Sequence, residues 1–277
     1  MTILVPVDYS KASKTAVHYA AGLAKQLGAD IKMLHVVQAN TSGKALLKLS
    51  KLQEQLVEIA RHDGELFFNE VRKSLRGKRP ELGIHIKHGT DFTRTVNQFC
   101  EGEGADLIVM GTTGASGLKK ILLGSNAAAM INTATVPVLA VPPKALYTKP
   151  TKIVYATNLK HTEEEIKTVA AFAEILAARV EVFYVAGIKA TSIPDEKDYA
   201  KMLRQIAKYQ KIGFTIAKSD NIPQAVENFV KKQNARLLTT FTHKLGFFEK
   251  LFERGMTRKM VYHIRVPILA FNKSTLK

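Results

Sequence analysis

Several kinds of residue and segment are scarce in this sequence. Its 277 residues include one cysteine, Cys100, and no tryptophan. A single cysteine excludes an internal disulfide and a metal cluster built from cysteines. No stretch approaches the roughly eighteen unbroken apolar residues that would span a bilayer. The opening segment MTILVPVDYS has no basic stretch leading into an apolar core, so it predicts a first strand rather than a signal peptide. We therefore expect a cytoplasmic protein.

Acidic residues are also few, and the net charge is +17, with 41 Lys and Arg against 24 Asp and Glu. Such a field favours anionic partners, including nucleotides, nucleic acids and membrane head groups. The basic residues are nevertheless scattered, with no run of five or more. No helix-turn-helix, zinc-finger or RNA-binding aromatic signature is present. We therefore expect a solvated basic surface, and neither nucleic acid nor a membrane as a partner.

The order of strand-like and helix-like segments repeats along the chain. In the first half, TILVPVD, DIKMLHVV, GIHIKHG, ADLIVMG and VPVLAVP alternate with helical patterns, including a long one over residues 44–76. After the proline-containing segment PPKALYTKPT the pattern starts again with TKIVYATNL, RVEVFYVA, KIGFTIAKS and VPILAF. Strands separated by helices predict a parallel, doubly wound sheet. The repeat predicts two tandem α/β domains.

A glycine-rich segment follows the strand ADLIVMG directly. Residues 109–130 read VMGTTGASGLKKILLGSNAAAM. Ligands of open α/β sheets bind beyond the carboxyl ends of the strands. Backbone N–H groups of a glycine loop and of the following helix N-terminus form an anion site there, and glycine lets phosphate oxygens approach the backbone. We expect Ser125 both to cap the helix and to donate its hydroxyl to a phosphate oxygen. The segment is neither a Walker A loop nor a dinucleotide G-x-G-x-x-G.

The spacing of this segment resembles the nucleotide motif of the universal stress protein family, G-x2-G-x9-G-(S/T). Gly111, Gly114, Gly124 and Ser125 meet all four positions and both spacings. The resemblance covers the whole chain, since VPVDYS is similar to the family's opening strand and its aspartate, and VPVLAV to its closing strand. It implies five-stranded parallel sheets of order 3-2-1-4-5 flanked by helices, in domains over residues 1–143 and 151–277. It also implies that the two domains pair through their last strands, with a further homodimer as an open alternative.

The resemblance further implies a nucleotide site in the first domain. The nucleotide would be ATP, AMP or ADP, with Mg²⁺ carried by the nucleotide rather than by a carboxylate cage. The residues that the resemblance places at this site are Pro6, Val7 and Asp8 near adenine and ribose, Val36 at adenine, Met110 and Gly111 at the sugar and α-phosphate, and Gly114, Gly124, Ser125 and Asn126 at the phosphates. Asp8 has a simpler interpretation as the cap of a helix starting near Ser10, and the two roles are compatible.

The second half departs from the motif at every position. At a constant offset of 130 residues, the second half has Phe241, Lys244, Arg254 and Gly255 where the first half has Gly111, Gly114, Gly124 and Ser125. At the end of the first strand, Asn158 corresponds to Asp8. A phenylalanine would obstruct the approach of phosphate to the backbone, so we expect one nucleotide site per chain and a degenerate second domain. An alternative is that Phe247, Phe248 and Phe252, interleaved with Lys and Arg, contact a membrane surface, an acyl chain or an acidic partner. Helix packing is the simpler interpretation.

No residue pattern indicates catalysis or a protein-bound metal. The eight histidines include no H-E-x-x-H. We expect His85 and His88 at the surface, His35 near the nucleotide cleft, and Cys100 as a buried structural thiol. No general base is recognisable beside the glycine segment, so we expect at most a weak ATPase.

The leading hypothesis is a cytoplasmic stress-response sensor or regulator. ATP binding would bias the segment of residues 112–123 and the helix of residues 44–76 towards one conformation. One alternative is a slow ATP-hydrolysing or nucleotidyl-transferring enzyme. Another is a nucleotide-independent interaction protein that binds some other anion or a lipid.

Overall fold

The computed structural model describes residues 1–38, 46–75, 80–112, 124–242 and 266–272, with the side chains of the second range from residue 54 onward. The chain divides into two compact units, the first reaching to Tyr147 and the second starting at Thr148. Each unit is described by itself below.

The first unit alternates strands and helices along its whole length. Its elements are β1 (Thr2–Pro6), α1 (Lys11–Leu27), β2 (Asp30–Gln38), α2 (Leu46–Ser74), β3 (Leu82–Gly89), α3 (Phe92–Glu103), β4 (Leu107–Gly111), α4 (Ser125–Thr133) and β5 (Val138–Val141). The strands form a parallel sheet in the order β3-β2-β1-β4-β5. Helix α1 contacts α2, and α3 contacts α4. This arrangement is the doubly wound fold, with helices on both faces of the sheet.

Capping residues explain where the first helix begins and ends. Ser10 is the N-cap of α1, and its side chain accepts a hydrogen bond from the backbone N–H of Ser13. Gly28 ends the helix at φ 63°, in the left-handed region that glycine adopts at little cost. Strand β1 reads Ile3, Leu4 and Val5 without alternation because all three are fully buried, as expected for a strand covered on both faces.

The second unit repeats this architecture. Its elements are β6 (Lys152–Thr157), α5 (Thr162–Leu176), β7 (Arg179–Ala186), α6 (Glu196–Ala207), β8 (Ile212–Lys218), α7 (Ile222–Lys232), β9 (Leu237–Thr242) and β10 (Ile268–Asn272). The strand order is β8-β7-β6-β9-β10, again parallel. Renumbered within the unit, the order is 3-2-1-4-5. The prediction of two tandem doubly wound α/β domains with five-stranded parallel sheets is therefore confirmed.

The two units share strand register as well as strand order. In the first unit Ile3 pairs with Leu107, and in the second Ile153 pairs with Leu237. The two pairs correspond with an offset of 150 residues at the first strand and of 130 residues at the fourth. The turn after the first strand is also repeated: Tyr9 and Leu159 have φ values of 60° and 67°. Residues at matching positions of the two sheets can therefore be compared directly.

Within the described ranges, none of the helices combines the length and the apolarity that a membrane crossing requires. Tyr147, close to the proline-rich junction, is tied to the first unit. Its ring lies edge-on to that of Tyr19, with 5.2 Å between centroids. It also covers Gly22 of α1, where an added Cβ would lie 2.4 Å from the Tyr147 Cγ. The glycine is required here because the aromatic ring packs directly on the helix backbone.

Gly22→Ala is therefore expected to displace Tyr147 and lower the free energy of unfolding by roughly 1–3 kcal/mol. The matched control is Gly102→Ala in α3, since a Cβ at Gly102 meets nothing within 4 Å. That control should raise stability by about 0.5–1 kcal/mol, because alanine is the better helix former. Urea unfolding measures both variants, and equal stabilisation by the two would show that Tyr147 does not dock on Gly22.

Candidate functional site

A cavity of about 330 Å³ opens at the carboxyl ends of β1, β2 and β4. Nine of the ten residues predicted for the nucleotide site line it: Pro6, Val7, Asp8, Val36, Met110, Gly111, Gly124, Ser125 and Asn126. The tenth, Gly114, lies outside the described residues. The volume falls at the lower end of the range of small-molecule sites, about 300–1,000 Å³. The structure thus gathers residues from widely separated parts of the first unit around one concavity.

The N-terminus of α4 faces this cavity without a side-chain cap. Gly124 is the N-cap, at φ −61° and ψ 155°, and as a glycine it supplies no side-chain hydrogen bond to the first turn. The expectation that Ser125 caps the helix is wrong, because Ser125 is already the first helical residue. The first backbone N–H groups of a helix have no carbonyl partner within it. Three residues of the first turn, Ser125, Asn126 and Ala127, line the cavity.

Gly111 lies where β4 approaches α1 closely. A Cβ added to it would lie 3.1 Å from the carbonyl oxygen of Ala12 and 3.2 Å from its Cβ. Any side chain would therefore have to move the N-terminal turn of α1, next to which Ser13 also lines the cavity. The absence of a side chain at Gly111 thus lets β4 and α1 lie close together beside the cavity.

Asp8 lies just after the end of β1, is exposed and lines the cavity. Its Oδ1 accepts a hydrogen bond from the backbone N–H of Ser10 at 3.1 Å. The helix cap itself is Ser10. The simpler interpretation of Asp8 as the cap is therefore replaced by that of a turn residue whose carboxylate lies at the cavity edge.

His35 lines the cavity and contacts Val7 and Tyr9, the residues on either side of Asp8. Its Nδ1 lies 2.9 Å from the carbonyl oxygen of Val7. A carbonyl only accepts, so Nδ1 carries the proton and Nε2 of the neutral ring is the acceptor. The ring stacks on that of Tyr9, with centroids 4.4 Å apart and planes 17° from parallel. The prediction that His35 lies near the cleft is confirmed.

Tyr9 continues this contact into helix α2. Its hydroxyl donates to the carbonyl oxygen of Ala60 at 2.8 Å, and its ring lies 5.5 Å from that of Phe67. Gly64 lets the helix come this close, since a Cβ there would be 2.8 Å from the Tyr9 hydroxyl. Burial, with a smaller contribution from Asp63, raises the pKa of Tyr9 to about 12, so the hydroxyl remains a donor at neutral pH.

Phe92, the first residue of α3, also lines the cavity. The turn that presents it is tightly hydrogen-bonded around Asp91, whose Oδ1 accepts from the backbone N–H of Arg94 and the hydroxyl of Thr93, both at 2.7 Å. These bonds lower the pKa of the Asp91 carboxyl. Gly89 makes room for Thr95, because a Cβ at Gly89 would be 2.0 Å from the Thr95 Oγ1.

The chain is similar to known proteins both in sequence and in fold. The model of the universal stress protein family matches residues 1–142, just over half of the chain. The chain belongs to the universal stress protein family. A universal stress protein of Methanocaldococcus jannaschii is 34% identical over 139 residues, covering 50% of this chain and 80% of the relative. The universal stress protein YxiE of Bacillus subtilis is 29% identical over 144 residues, covering 50% and 97%.

The universal stress fold extends over both units. The crystal structure of a universal stress protein from Archaeoglobus fulgidus matches 98% of this chain and 98% of its own, with a TM-score of 0.68 and 17% identity. At that identity the likeness concerns the fold alone. It agrees with the tandem arrangement seen in the strand orders of the two units.

The second unit of this universal stress protein has aromatic rings at and beside the position that matches Gly111. Gly111 pairs with Val141, and at the matching positions Phe241 pairs with Phe271. Phe241 is buried, stacks on Phe271 at 5.0 Å and lies edge-on to Tyr155 at 5.8 Å. The other motif substitutions, Lys244, Arg254 and Gly255, lie outside the described residues, as do Phe247, Phe248 and Phe252.

Sequence reasoning missed four further residues of the cavity wall: Ser13, Gln38, Phe92 and Ala127. Ala127 could have been found, since it belongs to the helix turn already assigned to phosphate binding. Gln38 is the last residue of β2, and Phe92 follows the turn between β3 and α3. Their place in the cavity wall could have been predicted, because ligands bind beyond the carboxyl ends of the strands.

The residues set aside from the sequence have ordinary environments. Cys100 is buried, and burial raises the pKa of its thiol to about 12. His88 is exposed, whereas His85 is half-buried with its ring 5.1 Å from that of Phe99. Burial lowers the pKa of His85. In the part of the chain that the structure describes, no group of three or more His, Cys, Asp and Glu side chains is arranged to hold a metal ion.

Proposed function

We propose that this universal stress protein binds ATP in its first unit and acts as a cytoplasmic nucleotide-dependent sensor or regulator. The observation that carries the proposal is a cavity at the carboxyl edge of the sheet that is lined by nine of the ten residues implied by the family resemblance. Its position at the reversal of strand order is the usual ligand site of this kind of sheet.

The α4 end of the cavity has the chemistry for phosphate. Uncapped N–H groups and the positive end of the helix dipole favour an anion, and the Ser125 hydroxyl adds a donor at the same edge. AMP, ADP and ATP all carry this group. Mg²⁺ would arrive with the nucleotide, since Asp8 is the one carboxylate among the described residues of the cavity wall.

Asp8 suits the sugar of the nucleotide. A carboxylate accepts hydrogen bonds, and the two ribose hydroxyls are donors. The backbone N–H of Ser10 holds one carboxylate oxygen, Oδ1, and so fixes the orientation of the group. We therefore assign Asp8 to the ribose and the first turn of α4 to the phosphates.

One site per chain is proposed, in the first unit. The positions of Val5, Gly111 and Val141 are occupied in the second unit by Tyr155, Phe241 and Phe271. The bulk of three rings replaces two valines and a glycine. The second unit keeps the backbone turn after its first strand, where Asn158 accepts from the backbone N–H of Lys160 at 3.0 Å.

The sensor role rests on the contact between His35 and Tyr9. His35 lines the cavity, and the stacked Tyr9 ring holds α2 through Ala60 and Phe67. A ligand shifts a conformational equilibrium only by its differential affinity for the two states. A nucleotide that touches the His35 side of the cavity would stabilise the docked state of α2 through this stack.

Titration of ATP with Mg²⁺ into the full chain tests the proposal. We expect one site per chain by calorimetry, and slower hydrogen exchange in the backbone amides of residues 54–71 of α2 when ATP is bound. The exchange should slow because the docked helix opens less often.

Each alternative gives a distinct result in the same samples. Two sites per chain would contradict the assignment of the second unit. Steady release of phosphate would favour the enzyme hypothesis, and binding without any change of exchange in α2 would remove the sensor model while leaving the nucleotide site. Failure of the wild-type chain to bind ATP would leave the interaction-protein hypothesis.

A further inference from the structure

The cavity wall changes character from one side to the other. The β4 and α4 side combines backbone, hydroxyl and amide groups with the side chains of Met110 and Ala127. The β2 and α3 side presents Val36 and the ring of Phe92 beside His35 and Gln38. Strands β2 and β4 flank β1, so their ends are about 10 Å apart at the spacing of neighbouring strands. A ligand that fills the cavity therefore has an anionic end and, about 10 Å away, an apolar end.

Phe92 is the part of the apolar end with a specific shape. Its side chain is half-buried at the cavity, and among the described aromatic side chains none stacks on it. An aromatic ring at a ligand site binds flat rings by stacking, and it does so for every nucleobase because each has a π-face.

Hydrogen bonds in the turn before α3 fix the backbone position from which this ring projects. Asp91 accepts hydrogen bonds from Thr93 and Arg94, and the Thr95 hydroxyl donates to the Asp91 carbonyl oxygen at 2.7 Å. Gly89 leaves the space that Thr95 occupies. A pre-positioned ring loses little freedom on binding, which raises affinity for a planar partner.

We propose that Phe92 is the base-stacking residue of the site and sets its preference for a nucleoside phosphate over a phosphate chain alone. This inference deepens the proposed nucleotide function and rests on it. It assigns the cavity two separable parts, an anion end at α4 and a planar-ring end at Phe92.

The chain contains no tryptophan, so a single introduced indole reports on this position alone. In Phe92→Trp, which keeps an aromatic ring, ATP and adenosine should both change the tryptophan fluorescence, and tripolyphosphate should leave it unchanged. Ile175→Trp is the matched control, because Ile175 is 55% exposed at the end of α5 in the second unit. Its fluorescence should respond to none of the three.

Affinity gives a second readout with the wild-type chain and Phe92→Leu, which retains an apolar side chain of similar size. Loss of stacking should weaken ATP binding about 10- to 100-fold. Tripolyphosphate affinity should change by less than about twofold, since the anion end is untouched.

The outcomes separate the inference from the function on which it rests. If the wild-type chain binds ATP but Phe92→Leu binds it equally well, or Phe92→Trp is silent to adenosine, the stacking role is wrong and the nucleotide site stands. If Phe92→Leu weakens ATP and tripolyphosphate alike, Phe92 supports the whole cavity rather than the base. If the wild-type chain binds tripolyphosphate and not ATP, the proposed function fails together with the inference.

Discussion

Ser125→Asp is expected to abolish ATP binding while leaving the first unit folded. The substitution places a carboxylate at the first residue of α4, on the wall where the phosphates are proposed to bind. Juxtaposed like charges cost several kcal/mol, and each 1.4 kcal/mol is a factor of ten, so the affinity should fall at least about 100-fold. An acidic residue in the first helical turn complements the helix dipole, so thermal stability should be unchanged or slightly higher.

Asn69→Asp provides the matched control for Ser125→Asp. It adds the same charge at an exposed position of α2, away from the cavity wall. Calorimetric titration of ATP should give wild-type affinity for this variant. Wild-type affinity in Ser125→Asp as well would show that the anion end is not at the N-terminus of α4, whatever the fate of the other residues.

Tyr155→Phe should markedly lower the stability of the second unit. Tyr155 is fully buried, and its hydroxyl donates to Oε2 of Glu165, itself 3% exposed. Burial first, and then Glu165, raise the pKa of Tyr155 well above its ordinary value, so the hydroxyl keeps its proton. Removing a donor from a buried carboxyl group leaves it poorly solvated, and the free energy of unfolding should fall by about 2 kcal/mol.

The double variant Tyr155→Phe/Glu165→Met separates this bond from simple packing. Replacing both partners by apolar groups of similar size removes the buried carboxyl group that has lost this donor, and most of the lost stability should return. Urea unfolding measures the free energies, and ATP affinity in the first unit should be unchanged throughout. If the double variant is less stable than Tyr155→Phe alone, the carboxyl group has other partners that stabilise it more than this hydroxyl does.

The sequence predicts the strands and most of the helices well because their signals are local. Buried β-branched runs define β1 and β6, and the Ser10 and Gly28 punctuation bounds α1. The repeated pattern predicts two parallel doubly wound sheets, and the resemblance to the universal stress protein family implies their strand order.

The candidate site is less completely predictable, for a physical reason. Glycine spacing leads to Gly111, Gly124 and Ser125, but the capping role assigned to Ser125 depends on a shift of one residue in the start of α4. The contacts of Tyr9 depend on which elements pack against each other. Gly64 acquires a role only once α2 lies against Tyr9, and local periodicity carries no information about that contact.

The burial of Glu165 in the second unit is likewise not predictable from the local sequence. Three consecutive glutamates at the start of α5 predict an exposed, dipole-stabilised turn. Two of them are exposed, whereas Glu165 turns inward to Tyr155. The residue that draws it in belongs to a strand ten positions earlier, at the site that Val5 occupies in the first unit.

The seating of Tyr147 on Gly22 also has a consequence for biosynthesis. All five strands of the first unit, and Tyr147 after them, precede β6 in the sequence. Domains fold as units during synthesis, starting from the N-terminus. The first unit can therefore acquire its sheet, its cavity and its contact with Tyr147 while the second unit is still being translated, so we expect the proposed ligand site to form before synthesis of the chain ends.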